Sequence, residues 1–376
     1  MFSSNSAHVD SLDGVRGVAV LAVMLYHAHV AGFRGGFLGV DIFFVLSGFL
    51  ITGLLSREWD RTGRVDLKRF YLRRALRLLP ALLALLFLAL AFPRVFTPRL
   101  EDGQSPRLWL AALASISYAS NWVRAFHVTD MGYLQHTWSL GIEEQFYTLW
   151  PLGLLALLRT RRCRRWTIVI VGAGIAGSTV LRAVRWEGRP SLLREYYSLE
   201  TRLDSLLIGC LLALLLSWDL VPRTGRWVTA IRLAALGSVA ALAIMINRAE
   251  YAGPATYHWL MFTAALCVGI VLLHLVHSPS PAMVAALTVP GLAWLGRISY
   301  GVYLWHSPIQ SGVLGEERML RLGLSGPPRV AIQFAVTIAV AAASFYLLEQ
   351  PILRANAKRR ERIAAAHTLR RTPREE

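Results

Sequence analysis

Long runs of mostly apolar residues recur along this sequence, and they restrict the fold more than any other feature. A helix of about 20 apolar residues crosses the hydrocarbon core of a bilayer with every backbone group hydrogen-bonded inside the segment. Hydrophobic residues make up 55% of the 376 residues, which agrees with many such helices. We therefore predict an all-α polytopic membrane protein with about ten transmembrane helices. The predicted spans are residues 15–33, 38–56, 78–96, 139–158, 166–184, 203–217, 228–246, 259–277, 291–314 and 328–348.

The start of the chain and one weaker apolar segment complete the predicted topology. The first residues are polar and no small-residue cleavage site follows the first apolar run. We therefore predict a membrane anchor there and not a signal peptide. Segment 106–124 contains several Ser, Asn and Trp residues, and we predict that it re-enters the membrane. We expect one membrane-embedded domain over residues 1–354 and a basic tail over residues 355–376.

The positive charge of the chain is concentrated in short loops between the predicted spans. The formal net charge is +17. Short basic loops orient membrane proteins, and the more basic side is cytoplasmic. We therefore predict a protein of the inner (plasma) membrane with cytoplasmic N- and C-termini, and no nucleic-acid partner. The three cysteines share no motif spacing, so we expect neither a disulfide framework nor a metal site.

Two ionisable residues of the first apolar segment lie on one helix face. His27 follows Arg16 by eleven positions, which is about three helical turns and roughly 16 Å along the axis. Ionisable residues inside a membrane are costly and usually line a polar path or a reaction site. A cation near one membrane face, aligned with an imidazole beyond the midplane, indicates chemistry conducted across a bilayer.

Other ionisable residues in the predicted spans fall at two depths. Several arginines lie at the cytoplasmic ends, whereas histidines and glutamates lie in the outer half or at the outer rim. Guanidinium groups bind phosphate through two nitrogens, so the arginine level predicts a phosphate-binding site that suits coenzyme A. The arginine level contains Arg16, Arg73, Arg74, Arg77 and Arg297, and the outer level contains His27, His136, Glu143, Glu144 and His306.

Glu143 and Glu144 stand side by side in the apolar segment HTWSLGIEEQFY (residues 136–147). Neighbouring helical positions point about 100° apart, so the two carboxylates cannot share one face. Either is a candidate to orient the His27 imidazole, as carboxylates do in other carboxylate–histidine pairs. The sequence does not choose between them, and a structural hydrogen-bonding role is the alternative for each.

Six sequence elements, found in order, resemble the acyltransferase-3 family of bacterial integral membrane O-acyltransferases. The resemblance covers most of the chain, as far as FYLLEQPI (345–352), and an ordered set is far more specific than one short motif. The six elements are Arg16 followed by His27, GGFLGVDIFFVLSGFLIT (35–52), FYLRRALRLLP (70–80), HTWSLGIEEQFYTLWP (136–151), ETRLDSLLIG (200–209) and LGRISYGVYLWHSPI (295–309).

The resemblance implies an enzyme that moves an acyl group, acetyl by default, from acyl-CoA to a hydroxyl group without a permanently bound cofactor. It implies that Arg16 and His27 are essential and that Arg74 and Arg77 bind acyl-CoA. His27 is then the general base on the acceptor hydroxyl, and its transient acylation is an alternative. Many family members carry a further hydrolase-type domain, whereas this chain resembles the stand-alone type. The remaining predicted site residues are Arg73 and Arg297 for the donor, and His136, His306 and Asp41 for the acceptor.

The acceptor and the class of reaction have alternatives. We predict a sugar or glycan at the outer side of the membrane, such as a lipid-linked sugar. A natural product such as a macrolide, reached from the membrane or the cytosol, is the alternative acceptor. A flippase for a lipid-linked sugar is the alternative of another class, because buried Arg, Glu and His also mark transport paths. Consumption of the thioester distinguishes an acyltransferase from a flippase.

Overall fold

The computed structural model describes residues 6–97, 107–159 and 163–369, and side chains within 10–97, 107–159 and 164–359. Every regular element in these ranges is helical, as the sequence predicts. The α-helices are α1 Ser6–His27, α2 Gly39–Thr62, α3 Leu67–Ala91, α4 Pro93–Phe96, α5 Leu108–Ile116, α6 Ser120–Ala125, α7 Trp138–Arg159, α8 Cys163–Arg185, α9 Leu192–Tyr197, α10 Leu203–Ser217, α11 Gly225–Arg248, α12 Met261–His277, α13 Pro281–Leu287, α14 Pro290–Arg297, α15 Ser299–Ser307, α16 Glu316–Arg321, α17 Gly326–Ser344 and α18 Gln350–Leu369. Short 3-10 segments cover Gly36–Leu38, Gly132–Thr137 and Arg189–Ser191, and π-helical segments cover Thr256–Leu260, Pro308–Val313 and Phe345–Glu349.

Six helices in the described ranges are long and apolar enough to cross a membrane, judged by length and composition. The predicted count of about ten spans is therefore not confirmed. The predicted span 291–314 shows one reason, because α14 ends at Arg297, α15 begins at Ser299 and a π-helical turn follows from Pro308. The six helices cover Gly36–Thr62, Leu67–Ala91, Arg164–Arg185, Gly225–Arg248, Thr256–His277 and Gly326–Arg359.

The predicted re-entrant segment and the basic tail are each described in part. The described part of the segment, from residue 107, contains two short helices, α5 and α6, with Tyr118 between them at a φ of 55°, and so it is not one straight helix. Its re-entrant course stays a prediction. In the basic tail, α18 continues as a helix to Leu369. Residues 370–376 of the predicted tail, like residues 98–106, lie outside the described part.

Helices α2 and α10 make the most extensive helix pair of the described bundle, and two glycines allow it. A Cβ atom on Gly48 would lie 1.9 Å from the carbonyl oxygen of Leu206, and one on Gly209 would lie 2.0 Å from that of Val45. Backbones approach this closely only at small residues, which is a common packing mode in membrane bundles. Of this pair, α2 also packs against α1.

Helix α1 carries the two residues that the sequence singles out, and its packing fixes their positions. It packs against α2, α12, α13, α14 and α15. Its residues Ala19, Val20, Val23 and Met24 are almost fully buried. The helix ends at His27, six residues before the end of the predicted span, and His29 follows with a φ of 56°. A positive φ at a non-glycine residue does not continue a right-handed helix. The imidazole of His27 is therefore presented at a helix end.

Candidate active site

A cavity of about 130 Å³ lies beside the first half of α1 and is lined by three of the five predicted arginines. We call it the arginine cavity. Arg16 lines it from α1, and Arg74 and Arg77 line it from α3. Helix α3 begins at a capped end, where Oδ1 of Asp66 accepts a hydrogen bond from the backbone N–H of Arg69 at 2.9 Å. The other lining residues are Val40, Phe43, Phe44, Ser47, Leu78, Ser139, Leu140, Glu143, Tyr147, Ser299, Tyr300 and Tyr303.

Arg74 is held by groups on α7. Its Nε and Nη2 donate to Oε1 of Glu144 at 2.8 and 2.7 Å, and its guanidinium lies 3.2 Å from the ring centroid of Tyr147. Glu143 turns the other way and accepts a hydrogen bond from Ser47 Oγ at 2.7 Å. The two adjacent glutamates therefore have different partners, as the 100° offset between neighbouring positions requires. Glu143 lines the arginine cavity, and Glu144 pairs with an arginine that lines it.

Arg16 and Arg77 are the other two arginines that line the arginine cavity. Arg16 donates to Oδ1 of Asp13, one turn earlier on α1, at 2.9 Å. Arg77 is exposed at the cavity and interacts electrostatically with Arg16, Arg74, Asp13 and the buried Glu349. Three guanidinium groups thus converge from two helices on one small space. Such a cluster is suited to an anionic ligand.

A second cavity, of about 390 Å³, lies at the end of α1. We call it the histidine cavity, because His27 and His136 line it. Its volume falls within the range of small-molecule binding sites. Aromatic side chains form much of its wall: Tyr26, Phe37, Trp138, Tyr196, Tyr197, Tyr251 and Tyr303. The remaining lining residues are Val23, His29, Val40, Arg124, Gln135, Leu193 and Ser311.

Three imidazoles form a cluster at this cavity. The ring of the fully buried His306 lies 4.9 Å from that of His27 and 5.4 Å from that of His136, centroid to centroid. Each Nδ1 faces a backbone carbonyl oxygen: Val23 for His27 at 2.9 Å, Tyr133 for His136 at 3.0 Å and Tyr303 for His306. A carbonyl oxygen only accepts, so Nδ1 carries the proton and the Nε2 of each neutral ring is left as an acceptor.

The imidazole of His27 is therefore oriented by a backbone carbonyl. The sequence predicted that Glu143 or Glu144 orients this imidazole. In the structure both glutamates lie at the arginine cavity, where their partners are Ser47 and Arg74. The reason is the position of His136 in the 3-10 turn before α7, which leaves the glutamates about two turns further along. The Nε2 atoms of His136 and His306 are buried and have no hydrogen-bond partner among the described residues.

The two cavities meet at two residues. Val40 of α2 and Tyr303 of α15 line both of them. The Tyr303 hydroxyl donates to the carbonyl oxygen of His136 at 3.0 Å and lies 2.6 Å from Ser139 Oγ. Sequence analysis did not single out Tyr303 or Ser139, although both lie within quoted motifs close to a predicted histidine. Val40 and Tyr303 thus lie between an arginine-lined space and a histidine-lined space, and the two cavities adjoin there.

Five predicted site residues line neither cavity: Glu144 and His306, whose contacts are given above, and Arg73, Arg297 and Asp41. Arg297 is exposed at the end of α14, and Arg73 lies on α3 beside the lining residue Arg74. Asp41 is fully buried in an ion pair with Nη2 of Arg202 at 2.9 Å and also accepts a hydrogen bond from Ser205 Oγ at 2.9 Å. A second buried pair, Arg182 with Asp204 at 2.7 Å, lies on the neighbouring helices α8 and α10. Asp41 therefore belongs to the polar framework of the bundle.

An all-helical, multi-pass membrane protein with a cationic cavity beside an imidazole cavity has the features of a group-transfer enzyme embedded in the bilayer. Comparison with known proteins identifies the class. Residues 9–348 match the model of a family described as an acyltransferase domain, and the chain belongs to this family of acyltransferases. The sequence-based assignment to the family is confirmed.

The chain is similar to proteins named for O-acetyl transfer. It is 34% identical over 364 residues to the peptidoglycan O-acetyltransferase OatA of Listeria monocytogenes, which covers 92% of this chain and 56% of that protein. It is 34% identical over 317 residues to the O-acetyltransferase OatA of Staphylococcus aureus, which covers 80% of this chain and 50% of that protein. The chain thus spans about half the length of these relatives. No solved structure matches it significantly.

Proposed function

We propose that this protein is a membrane O-acetyltransferase that moves an acetyl group from acetyl-CoA to a hydroxyl group of a cell-wall glycan. The observation that carries the proposal is the contact of the two cavities at Val40 and Tyr303. One cavity supplies guanidinium groups for a phosphate-bearing donor, and the other supplies an imidazole for a hydroxyl acceptor. The names of the relatives support an acetyl group and a peptidoglycan acceptor.

The donor would bind from the arginine side. Arg77, which is exposed, and Arg16 would bind phosphate groups of CoA, while Arg74 is already held by Glu144. The arginine cavity is smaller than most pockets for whole ligands, so it suits the narrow thioester end and leaves the nucleotide at its mouth. The thioester would then lie near Tyr303. We assign the arginine side to the cytoplasm, because the short basic loops lie at this end of the predicted spans.

The acceptor would bind in the histidine cavity with its hydroxyl group at His27. The Nε2 of His27 takes the hydroxyl proton as the oxygen attacks the thioester carbonyl carbon. The carbon–sulfur bond breaks, the acetyl ester forms, and the CoA thiolate leaves and takes up the proton. The Val23 carbonyl holds the ring in the required tautomer throughout, because its oxygen accepts a hydrogen bond from the Nδ1–H group. Transient acetylation of His27 is the alternative order of the same bond changes.

Thiol release tests this function. The full chain is reconstituted in lipid vesicles with acetyl-CoA, a thiol-reactive dye and a soluble disaccharide of N-acetylglucosamine and N-acetylmuramic acid. We expect CoA thiol and base-labile sugar ester in equal amounts, and only when the disaccharide is present. A flippase would release no thiol. Release with a macrolide but not with the sugar would assign the protein to natural-product acylation.

A further inference from the structure

Arg124 connects the histidine cavity with a neighbouring surface cavity. It lies on the short helix α6 and lines both spaces. The second space measures about 290 Å³ and is lined also by His127, Thr129, Asp130 and Leu193. A ligand that extends from the histidine cavity into this surface space would therefore pass Arg124.

The guanidinium of Arg124 is held in place by neutral groups. Its Nη1 donates to Oε1 of Gln135 at 2.8 Å, and its Nη2 donates to the hydroxyl of Tyr197 at 2.9 Å. It also lies 4.4 Å from the ring centroid of Tyr197. Its Nε is buried and has no hydrogen-bond partner among the described residues. The side chain is thus positioned, but its charge is not neutralised by these contacts.

Two nearby arginines, unlike Arg124, lie within ion-pair distance of a carboxylate. Arg194, which packs against Trp122 on the same short helix, pairs with Glu200 at 2.5 Å, and Arg185 reaches the same carboxylate at 3.5 Å. Within the described ranges, Arg124 has no carboxylate within ion-pair distance, and neither Asp nor Glu lines the histidine cavity. Oδ1 of Asp130, in the surface cavity, accepts a hydrogen bond from the backbone N–H of Gly132 at 2.8 Å.

We propose that Arg124 is an oxyanion-binding residue of the acceptor site, so that the preferred acceptor is a sugar bearing a carboxylate or a phosphate group. This inference rests on the proposed function. Gln135, which fixes Arg124, directly precedes His136 in the same 3-10 turn, so the anion site and the imidazole cluster share one support. A cation that is only partly solvated and lacks a counter-charge binds an oxyanion more strongly than a solvated surface arginine does. The aromatic wall then contacts the sugar ring between the two groups.

Binding of three related sugars tests the proposal. The full chain in lipid nanodiscs is titrated calorimetrically with N-acetylmuramic acid, N-acetylglucosamine 1-phosphate and the neutral N-acetylglucosamine. We expect the better anionic sugar to bind at least about tenfold more tightly than the neutral one. The stronger of the two anions identifies carboxylate or phosphate as the recognised group. Arg124→Gln should abolish the preference, and Arg124→Lys should retain part of it, because charge remains without the planar fork.

The control variant is Arg185→Gln, which removes a positive charge that lies 3.5 Å from a carboxylate oxygen of Glu200 and lines neither cavity; it should keep the preference. Equal binding of anionic and neutral sugars by the unaltered protein overturns the proposal. The same loss of affinity for all three sugars in Arg124→Gln also overturns it, since that pattern indicates a structural role. Thiol release is measured in parallel. A retained anion preference without transfer to any sugar counts against the proposed function and not against the anion site.

Discussion

Arg74 and Glu144 form a two-nitrogen ion pair in which Nε and Nη2 reach the same oxygen, at 2.8 and 2.7 Å. Both side chains are less than one-fifth exposed. The pair fastens α3 to α7, and the ring of Tyr147 covers the guanidinium. Arg74 and Arg77 belong to one sequence motif, yet they differ in the structure: one is engaged by a carboxylate and the other is exposed at the cavity. Substitutions of Arg74 and Arg77 should therefore affect different properties of the protein.

The first prediction separates these two arginines. In Arg77→Lys a point charge replaces the planar fork, so acetyl-CoA affinity should fall about tenfold while thermal stability changes little. In Arg74→Lys the pair with Glu144 is lost, and the main effect should be a lower unfolding temperature. Calorimetric titration with acetyl-CoA and thermal unfolding in detergent measure the two effects. Arg297→Lys is the matched control, because Arg297 is exposed outside the cavity. Normal acetyl-CoA binding by Arg77→Lys would remove phosphate binding from the role of Arg77.

A second prediction concerns the general base. His27→Ala should lower the rate of acetyl transfer by about 10²–10⁴-fold, which is the usual contribution of general-base catalysis. The fold should persist, because the neighbouring residues Val23 and Met24 remain packed. Thiol release by protein that elutes normally in size-exclusion chromatography is the measurement. His258→Ala, at an exposed histidine that lines neither cavity, should transfer normally. Transfer at the normal rate by His27→Ala would exclude the residue from the chemistry.

Arg16 and His27 lie on α1, and Arg74 and Arg77 lie on α3, so helical spacing alone could group each pair. Helical periodicity alone places Arg16 and His27 along one side of α1, and the structure puts them in the walls of two adjoining spaces. Periodicity does not predict which carboxylate meets which helix. For that reason the sequence does not distinguish Glu143 from Glu144, whereas the structure gives them different partners, Ser47 and Arg74.

Asp41 and Arg124 show the limits of sequence reasoning more clearly. A carboxylate in an apolar segment has the same sequence signature whether it binds a ligand or an internal arginine. The partner of Asp41 lies 161 residues away, at Arg202, and only tertiary packing brings them together. Arg124 lies on a six-residue helix next to irregular turns, where no periodic pattern assigns a side chain to a face. Its exposure to a cavity is a property of the assembled bundle.

The third prediction concerns the contact between the cavities. Val40→Phe adds volume at this point and should reduce acetyl transfer by more than about tenfold, while acetyl-CoA still binds on the arginine side. Overpacking also costs roughly 1–3 kcal/mol of stability, so the folded fraction is measured with each rate. Val40→Ala is the control, because it adds no volume, and acetyl transfer should continue. Equal transfer by Val40→Phe and the unaltered protein would show that the reacting groups meet elsewhere.

The fourth prediction tests the role of Asp41. Asp41→Asn leaves Arg202 buried without its counter-charge, which typically costs about 3–5 kcal/mol. The unfolding temperature in detergent should fall markedly. The exposed pair Glu317–Arg321 supplies a control, because Glu317→Gln removes a surface ion pair worth less than about 1 kcal/mol. If Asp41 instead contacts the acceptor, as the sequence alone predicts, Asp41→Asn should raise the KM for the sugar and leave the unfolding temperature unchanged.

The fifth prediction follows from the spacing of Arg16 and His27 along α1. Eleven helical residues separate them by roughly 16 Å, and each lines a different cavity. Donor and acceptor should therefore reach the site from opposite membrane faces. In vesicles with a single protein orientation, acetyl-CoA should support transfer only from the face that bears the C-terminal tail. An impermeant sugar should be acetylated only from the other face.

Orientation is assigned by protease cleavage of a tag fused to the C-terminus, and thiol release is recorded with each substrate inside or outside the vesicle. Permeabilised vesicles are the control, because both substrates then reach both faces and transfer should occur in every arrangement. An inverted topology would exchange the two faces but keep them distinct, since the separation rests on one continuous helix and not on the loop charges. Transfer with both substrates confined to one face would contradict the two-sided path. It would instead favour an acceptor that reaches His27 from the side of the donor, as expected for a membrane-permeant natural product.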